Sequence, residues 1–156
     1  MIRSIMAAAV ITAVLVAPAS TQTAEEQQVR AALGGYRLAI ESLDPAAASN
    51  HFWPDSAVFE QGGVEGDFAT YLAHHLGPEF SEIASFYFRD VETNVVIVGD
   101  VAYATETYTY HISFKQTARA PVERRGVATS VLRRRDGQWR IFIYHSSARA
   151  PQAPSP

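Results

Sequence analysis

Two carboxylates, two histidines and a set of tyrosines are the side chains here best able to do chemistry. Glu60 stands near the end of a short expected strand, Ala57–Gln61, just before Gly62-Gly63, where the backbone leaves room for a ligand. Walled by Phe59, Tyr71 and Tyr108, it would serve as a general base or ligand anchor; the plainer alternative is a carboxylate tied to tyrosines and holding the fold together. His74 and His75 are adjacent on an expected helix and point about 100° apart, so only one can face inward. His75 shares a face with Phe68, Tyr71, Leu72 and Leu76. With Glu60, Glu106 and His145 it would supply a mixed N/O ligand set for zinc or copper. No HxH or HExxH spacing is present, so those ligands would have to converge from separate elements, and a hydrogen-bonded core histidine is the competing reading.

Other routes close quickly. The absence of cysteine removes thiol catalysis, zinc–thiolate sites and disulfides. There is no P-loop, GxGxxG or GxSxG motif, so no nucleotide cofactor is expected. Ser146-Ser147 beside His145 is no hydrolase signal, because neighbouring strand residues point to opposite faces.

These groups need elements to hold them. Val29, Leu33, Tyr36, Ile40 and Leu43 recur at helical steps over Ala24–Leu43, and Gly34-Gly35 inside that helix implies a close neighbour. Asp44-Pro45 reads as an N-cap and first turn of a short second helix. A third helix is expected over Asp67–Leu76, stopped by Gly77-Pro78. The period then changes to that of strands: Ser85–Val98, Val101–Phe114, Val122–Arg134 and Gln138–Ala148, with turns at Gly99-Asp100 and Asp136-Gly137. Alternation puts Ala102, Ala104, Glu106, Tyr108 and Tyr110 inward, beside small Gly126, Ala128 and Ser130 that would leave a cavity open. The fold class is α+β, with helices segregated to one face of an antiparallel sheet.

The last strand is apolar on both faces, Trp139, Ile141 and Ile143 on one and Phe142 and Tyr144 on the other. Two covers are needed, and a second copy meeting the outer sheet face is the natural one, so a homodimer is expected. Strict alternation places His145 with Trp139; a β-bulge near Gln138 would reverse that phase.

Arg3, the apolar run Ile5–Val16 and Ala17-Pro18-Ala19 have the three parts of a cleavable signal peptide over residues 1–19. The run is short of the about 20 residues a membrane span needs, so no stable anchor remains after cleavage and a periplasmic or secreted location follows. A net charge of −3 gives no reason to expect nucleic-acid binding. The arginines crowded near the end read as solvated strand ends or as an anion-binding patch. Pro-rich residues 150–156 read as a disordered tail.

GVATSVLRRRDGQWRIFIYHSSAR, VFEQGGVEG and VIVGDVAYA resemble the nuclear transport factor 2-like superfamily, over roughly residues 25–149. It includes ketosteroid isomerase, SnoaL-like polyketide cyclases and the association domain of calcium/calmodulin-dependent protein kinase II. The resemblance implies a cone: three N-terminal helices packed on a strongly curved sheet around a pocket. It also implies residue roles. Tyr36, eight residues before Asp44, fits the isomerase's hydrogen-bonding tyrosine, and Glu60, five after Asp55, fits its general base. The isomerase's second acidic donor has no match, since Arg125 falls near that place. The arginines lining the kinase pocket are replaced by about Tyr108, Ser130 and Ser146, and that comparison makes the Tyr144 side the pocket. The expected function is an exported small-molecule-binding domain whose ligand meets Glu60, Tyr71, His75, Glu106, Tyr108, Ser130 and Tyr144. The alternatives are an isomerase- or cyclase-like proton-transfer enzyme with Glu60 as base and Tyr36 as donor, or a zinc or copper protein.

Overall fold

The computed structural model describes residues 23–151; the leader expected over 1–19 and nearly all of the tail lie outside the described residues. Helix α1 spans Ala24–Glu41, and the Thr23 side chain accepts from the Glu26 amide at 3.1 Å. Its expected stripe is inward: Val29, Leu33, Tyr36 and Ile40 are buried, with Leu43 partly so. A Cβ on Gly35 would collide with the His51 ring, which is the close neighbour the glycine pair implies. Asp44 caps α2, Pro45–Ser49, by accepting from the amides of Ala46 and Ala47.

Six strands follow: β1 Phe52–Glu60, β2 Gly63–Gly66, β3 Ile83–Val98, β4 Val101–Phe114, β5 Val122–Arg135 and β6 Gln138–Arg149. They form one sheet in the order β2-β1-β6-β5-β4-β3, with the helices on its inner face. The expected all-antiparallel sheet holds at every neighbour but one. β1 runs parallel to β6, because the chain passes through β2, the third helical segment and three further strands before it returns beside β1. Asp136 and Gly137 have φ of 51° and 74°, as the two central positions of a type I′ turn require.

The third helix does not stop at Leu76. It runs as α3, Phe68–Tyr71, then one π-helical turn, Leu72–Leu76, and then α4, Gly77–Glu82. In an unbroken α-helix the Pro78 ring would press on the carbonyl four residues back. The wider turn relieves this: the Gly77 amide reaches back to the Leu72 carbonyl, and a Cβ on Gly77 would sit 2.7 Å from that oxygen.

β6 carries a bulge, in mid-strand rather than at Gln138. Leu132 of β5 faces Ile141, but the adjacent Val131 faces Ile143, so Phe142 is the extra residue. Trp139 and Ile141 are therefore buried before the bulge and Ser146 after it, with Tyr144 packed against the core. This narrows the argument from a doubly apolar strand. Tyr144 belongs to the inner face, and outward Phe142 is covered by the Arg133 guanidinium, 3.5 Å from its ring centroid.

Helix α1 also closes the free edge of β3. Arg30 Nη1 donates to the Thr93 carbonyl at 2.6 Å, and Glu41 Oε1 accepts from the Phe88 amide at 2.7 Å. Several of the crowded arginines are bound to acids: Arg119 to Glu82 at 3.0 Å, Arg134 to Glu25 and Asp100, and Arg135 to both oxygens of Asp55 at 2.8 and 2.7 Å.

Candidate functional site

Between α1, the π-helical turn, α4 and the inner faces of β3, β4 and β6 lies a cavity of about 220 Å³. Its aromatic floor is built by packing across elements. Tyr36 from α1 meets Phe52 of β1 edge-on at 5.0 Å and Tyr144 of β6 at 5.4 Å, while Phe52 stacks on Phe68 at 3.9 Å. On β5, a Cβ at Gly126 would collide with the Tyr108 ring, so this glycine seats an aromatic wall rather than leaving space.

Glu60 lies in this cavity, at the C-terminal end of β1 where the β1–β2 hairpin begins. Its Oε2 accepts from the Tyr71 hydroxyl at 2.8 Å, and its Oε1 from Ser146 Oγ at 3.4 Å. His75 Nε2 approaches the same Oε2 at 3.3 Å and Glu79 Oε1 at 3.5 Å, while its Nδ1 is 3.9 Å from Glu65. The Tyr71 and His75 rings stack at 5.3 Å, one helical turn apart. His74, as expected, is exposed. The arrangement gives Glu60 a hydroxyl donor and an imidazole beside it, the partners a proton-accepting or proton-relaying carboxylate needs.

A second polar group lines the wall. Glu106, 4% exposed, takes the Arg37 guanidinium and the Thr93 hydroxyl (3.1 Å) on one oxygen, Oε1. Arg37 escaped the sequence reading because it sits beside the apolar stripe of α1 and looks like an ordinary helix-surface charge. Gly34 one turn earlier is no signal for it, because a Cβ there would meet Arg37 Nη2 only in ordinary contact, at 3.7 Å.

The tyrosines are held neutral. Burial raises Tyr36 and Tyr144 well above the usual phenol value, helped by nearby Glu60 or Glu106 and by other tyrosines. Tyr108 is pushed up to about 12, chiefly by burial. Tyr71 rises through burial, with Tyr36 and Glu60 adding to it. Their hydroxyls are therefore donors to an oxygen and acceptors from an N–H, not anions.

Of the expected ligand-contacting residues, Glu60, Tyr71, His75, Glu106, Tyr108 and Tyr144 share the cavity, as does Tyr36. Ser130 and Phe59 are not among its walls. Ser130 is 1% exposed and faces Tyr144 across the sheet, with its hydroxyl unpartnered among the described residues. The metal set does not assemble. The bulge leaves His145 on the outer face opposite Thr129, exposed, while Glu106 is engaged by Arg37. Among the described residues no group of three or more His, Asp or Glu is placed to hold an ion.

Burial raises Glu106 above the ordinary value of 4.5, against the opposing pull of Arg37 and Thr93. A carboxyl raised on folding contributes stability that is complete below its unfolded pKa and is lost as pH rises through the folded one. Urea midpoints taken between about pH 4 and 8 should thus show the wild type losing stability relative to Glu106→Gln as pH rises. Parallel curves would contradict this.

Among solved structures, a nuclear transport factor 2-like protein from Salmonella enterica superposes with a TM-score of 0.68 at 16% identity, over 83% of this chain and 92% of that one. A ketosteroid isomerase-like protein from Erwinia carotovora atroseptica gives 0.70 at 19% identity, over 82% and 98%. Hexachlorocyclohexane dehydrochlorinase from Novosphingobium barchaimii gives 0.69 at 14%, over 85% and 92%. At these identities the likeness is one of fold, the nuclear transport factor 2-like cone. No curated protein matches the chain in sequence. The family model of the SnoaL-like domain matches residues 29–151, and the chain belongs to that family.

Proposed function

We propose that this protein is an exported, homodimeric small-molecule-binding domain whose ligand occupies the cavity and meets Glu60. The observation that carries the binding is the placement of Glu60. One carboxylate stands in an aromatic cavity, with Tyr71 and His75 on the same oxygen and Ser146 on the other. Such concave, aromatic sites with a few convergent polar groups are the usual form of ligand pockets.

The same contacts favour proton transfer as the second reading. Glu60 would take a proton from bound substrate, His75 would relay it, and the neutral Tyr36 hydroxyl would donate to a developing oxyanion. Structural neighbours named as an isomerase-like protein and a dehydrochlorinase lend that reading support by analogy of fold. One experiment separates the two. In a fragment screen by ligand-observed NMR, wild-type hits should vanish in Ala148→Trp, which places a large ring in the cavity wall; hits that persist defeat the binding reading. Glu60→Gln should then retain hits and lose at least about a hundredfold of any turnover if it is the base. Undiminished turnover removes the enzyme reading.

Dimerisation is supported by the outer sheet face, where Val96, Tyr103 and Val127 are 43%, 49% and 53% exposed on neighbouring strands. Light scattering at micromolar concentration should give twice the monomer mass, and Tyr103→Glu with Val127→Glu should halve it; a monomeric wild type sinks the idea.

Export rests on Arg3, the Ile5–Val16 run and the Ala17-Pro18-Ala19 site. N-terminal sequencing of protein from a secreting host should begin at Ser20 or Glu25. An intact Met1 in the cytosolic fraction would count against export.

A further inference from the structure

We propose that the ligand is a small organic cation, a protonated amine on an apolar body, held by Glu60 and the tyrosines around it. This rests on the binding reading above and adds the ligand's charge.

The balance of charge in the cavity wall comes first. Glu60, Glu79 and Glu106 line it against a single guanidinium, Arg37. Arg37 is committed to Glu106. Glu60 and Glu79 share one imidazole, with His75 Nε2 3.3 Å from the first and 3.5 Å from the second. With His75 neutral the wall carries two uncompensated negative charges, and with His75 protonated it still carries one. A cation entering that space relieves the excess, whereas an anion adds like charge.

The second observation is independent of charge. Tyr36 is 6% exposed, lines the cavity, and its hydroxyl makes no hydrogen bond among the described residues. Glu106 is 4% exposed, and both its bonds fall on Oε1, leaving Oε2 unpartnered. Both oxygens open to the cavity rather than being sealed in the core, since the fully buried unpartnered side-chain atoms among the described residues are Ser130 Oγ and Trp139 Nε1. An ammonium group supplies the N–H donors these two acceptors lack, and it offers no oxygen that would compete for the Arg37 donors.

Around these acceptors stand the rings of Tyr71, Tyr108, Tyr110, Tyr144, Phe86 and Phe88. A cation within about 6 Å of a ring face is attracted by the ring's quadrupole, and more strongly where both are desolvated. Burial keeps the tyrosines un-ionised, so they contribute as neutral faces. At about 220 Å³ the cavity is smaller than the common range of drug-sized sites, roughly 300–1,000 Å³, so a single-ring amine is the size expected.

The test is an NMR titration at neutral pH with three probes of matched shape: benzylamine, benzyl alcohol and benzoate. Benzylamine should bind at least about tenfold tighter than benzyl alcohol, with benzoate weakest. Glu60→Gln should lower benzylamine affinity far more than benzyl alcohol affinity and so remove most of that preference, and residual benzyl alcohol binding reports an intact cavity. Should Glu60→Gln fail to fold, Glu79→Gln replaces it; Glu79 is 55% exposed, and loss of its charge should reduce benzylamine affinity several-fold. Equal affinities for amine and alcohol, or benzoate binding tightest, would overturn the cation while leaving small-molecule binding in place. Silence from all three probes also overturns it; the fragment screen with Ala148→Trp judges the binding reading on its own.

Discussion

One extra residue in β6 sets the phase on which the cavity depends. With Phe142 looped out between Ile141 and Ile143, the strand presents Trp139 and Ile141 to the core near the base, then Tyr144 and Ser146 to the cavity beyond. A regular strand would put one of those pairs in solvent, because side chains alternate strictly between faces. Tyr144 then reaches Tyr36 and Phe52, and Ser146 reaches Glu60, so helix α1, β1 and the site are all registered to that slip. The bulge also turns His145 outward, which removes it from any site shared with Glu60.

The elements were legible because their signals are local. The α1 stripe, the Asp44-Pro45 cap and the Asp136-Gly137 turn each announce themselves within a few residues, and the structure places them as expected. The bulge was not legible in position: it carries no glycine and falls inside a run, Ile141-Phe142-Ile143, where every residue is apolar. The extension of the third helix past Leu76 was hidden for the opposite reason. Gly77-Pro78 is a strong stop signal, and only the π-helical turn, a tertiary accommodation, lets the helix continue to Glu82.

The site was partly legible. Glu60, Tyr71 and His75 could be brought together from a strand end and one helix face, and they are in contact. Arg37 could not, since its role depends on Glu106 sixty-nine positions away in the chain. Ser130 failed because alternation tells which face a residue occupies but not whether a neighbouring ring covers it. The site thus has two polar poles of different origin, one assembled at the rim by β1 and the π-helical turn, the other at the wall by α1 and β4.

The grip of α1 on β3 has a further consequence. A long edge strand with unpaired amides and carbonyls is a template for adding strands from other chains. Arg30 and Glu41 occupy the Thr93 carbonyl and the Phe88 amide, so the helix substitutes for a missing seventh strand. Detachment of α1 would do more than open the cavity: it would uncover a ready growth face for cross-β aggregation. The first helix is in that sense the domain's safeguard against aggregation as well as one wall of its cavity.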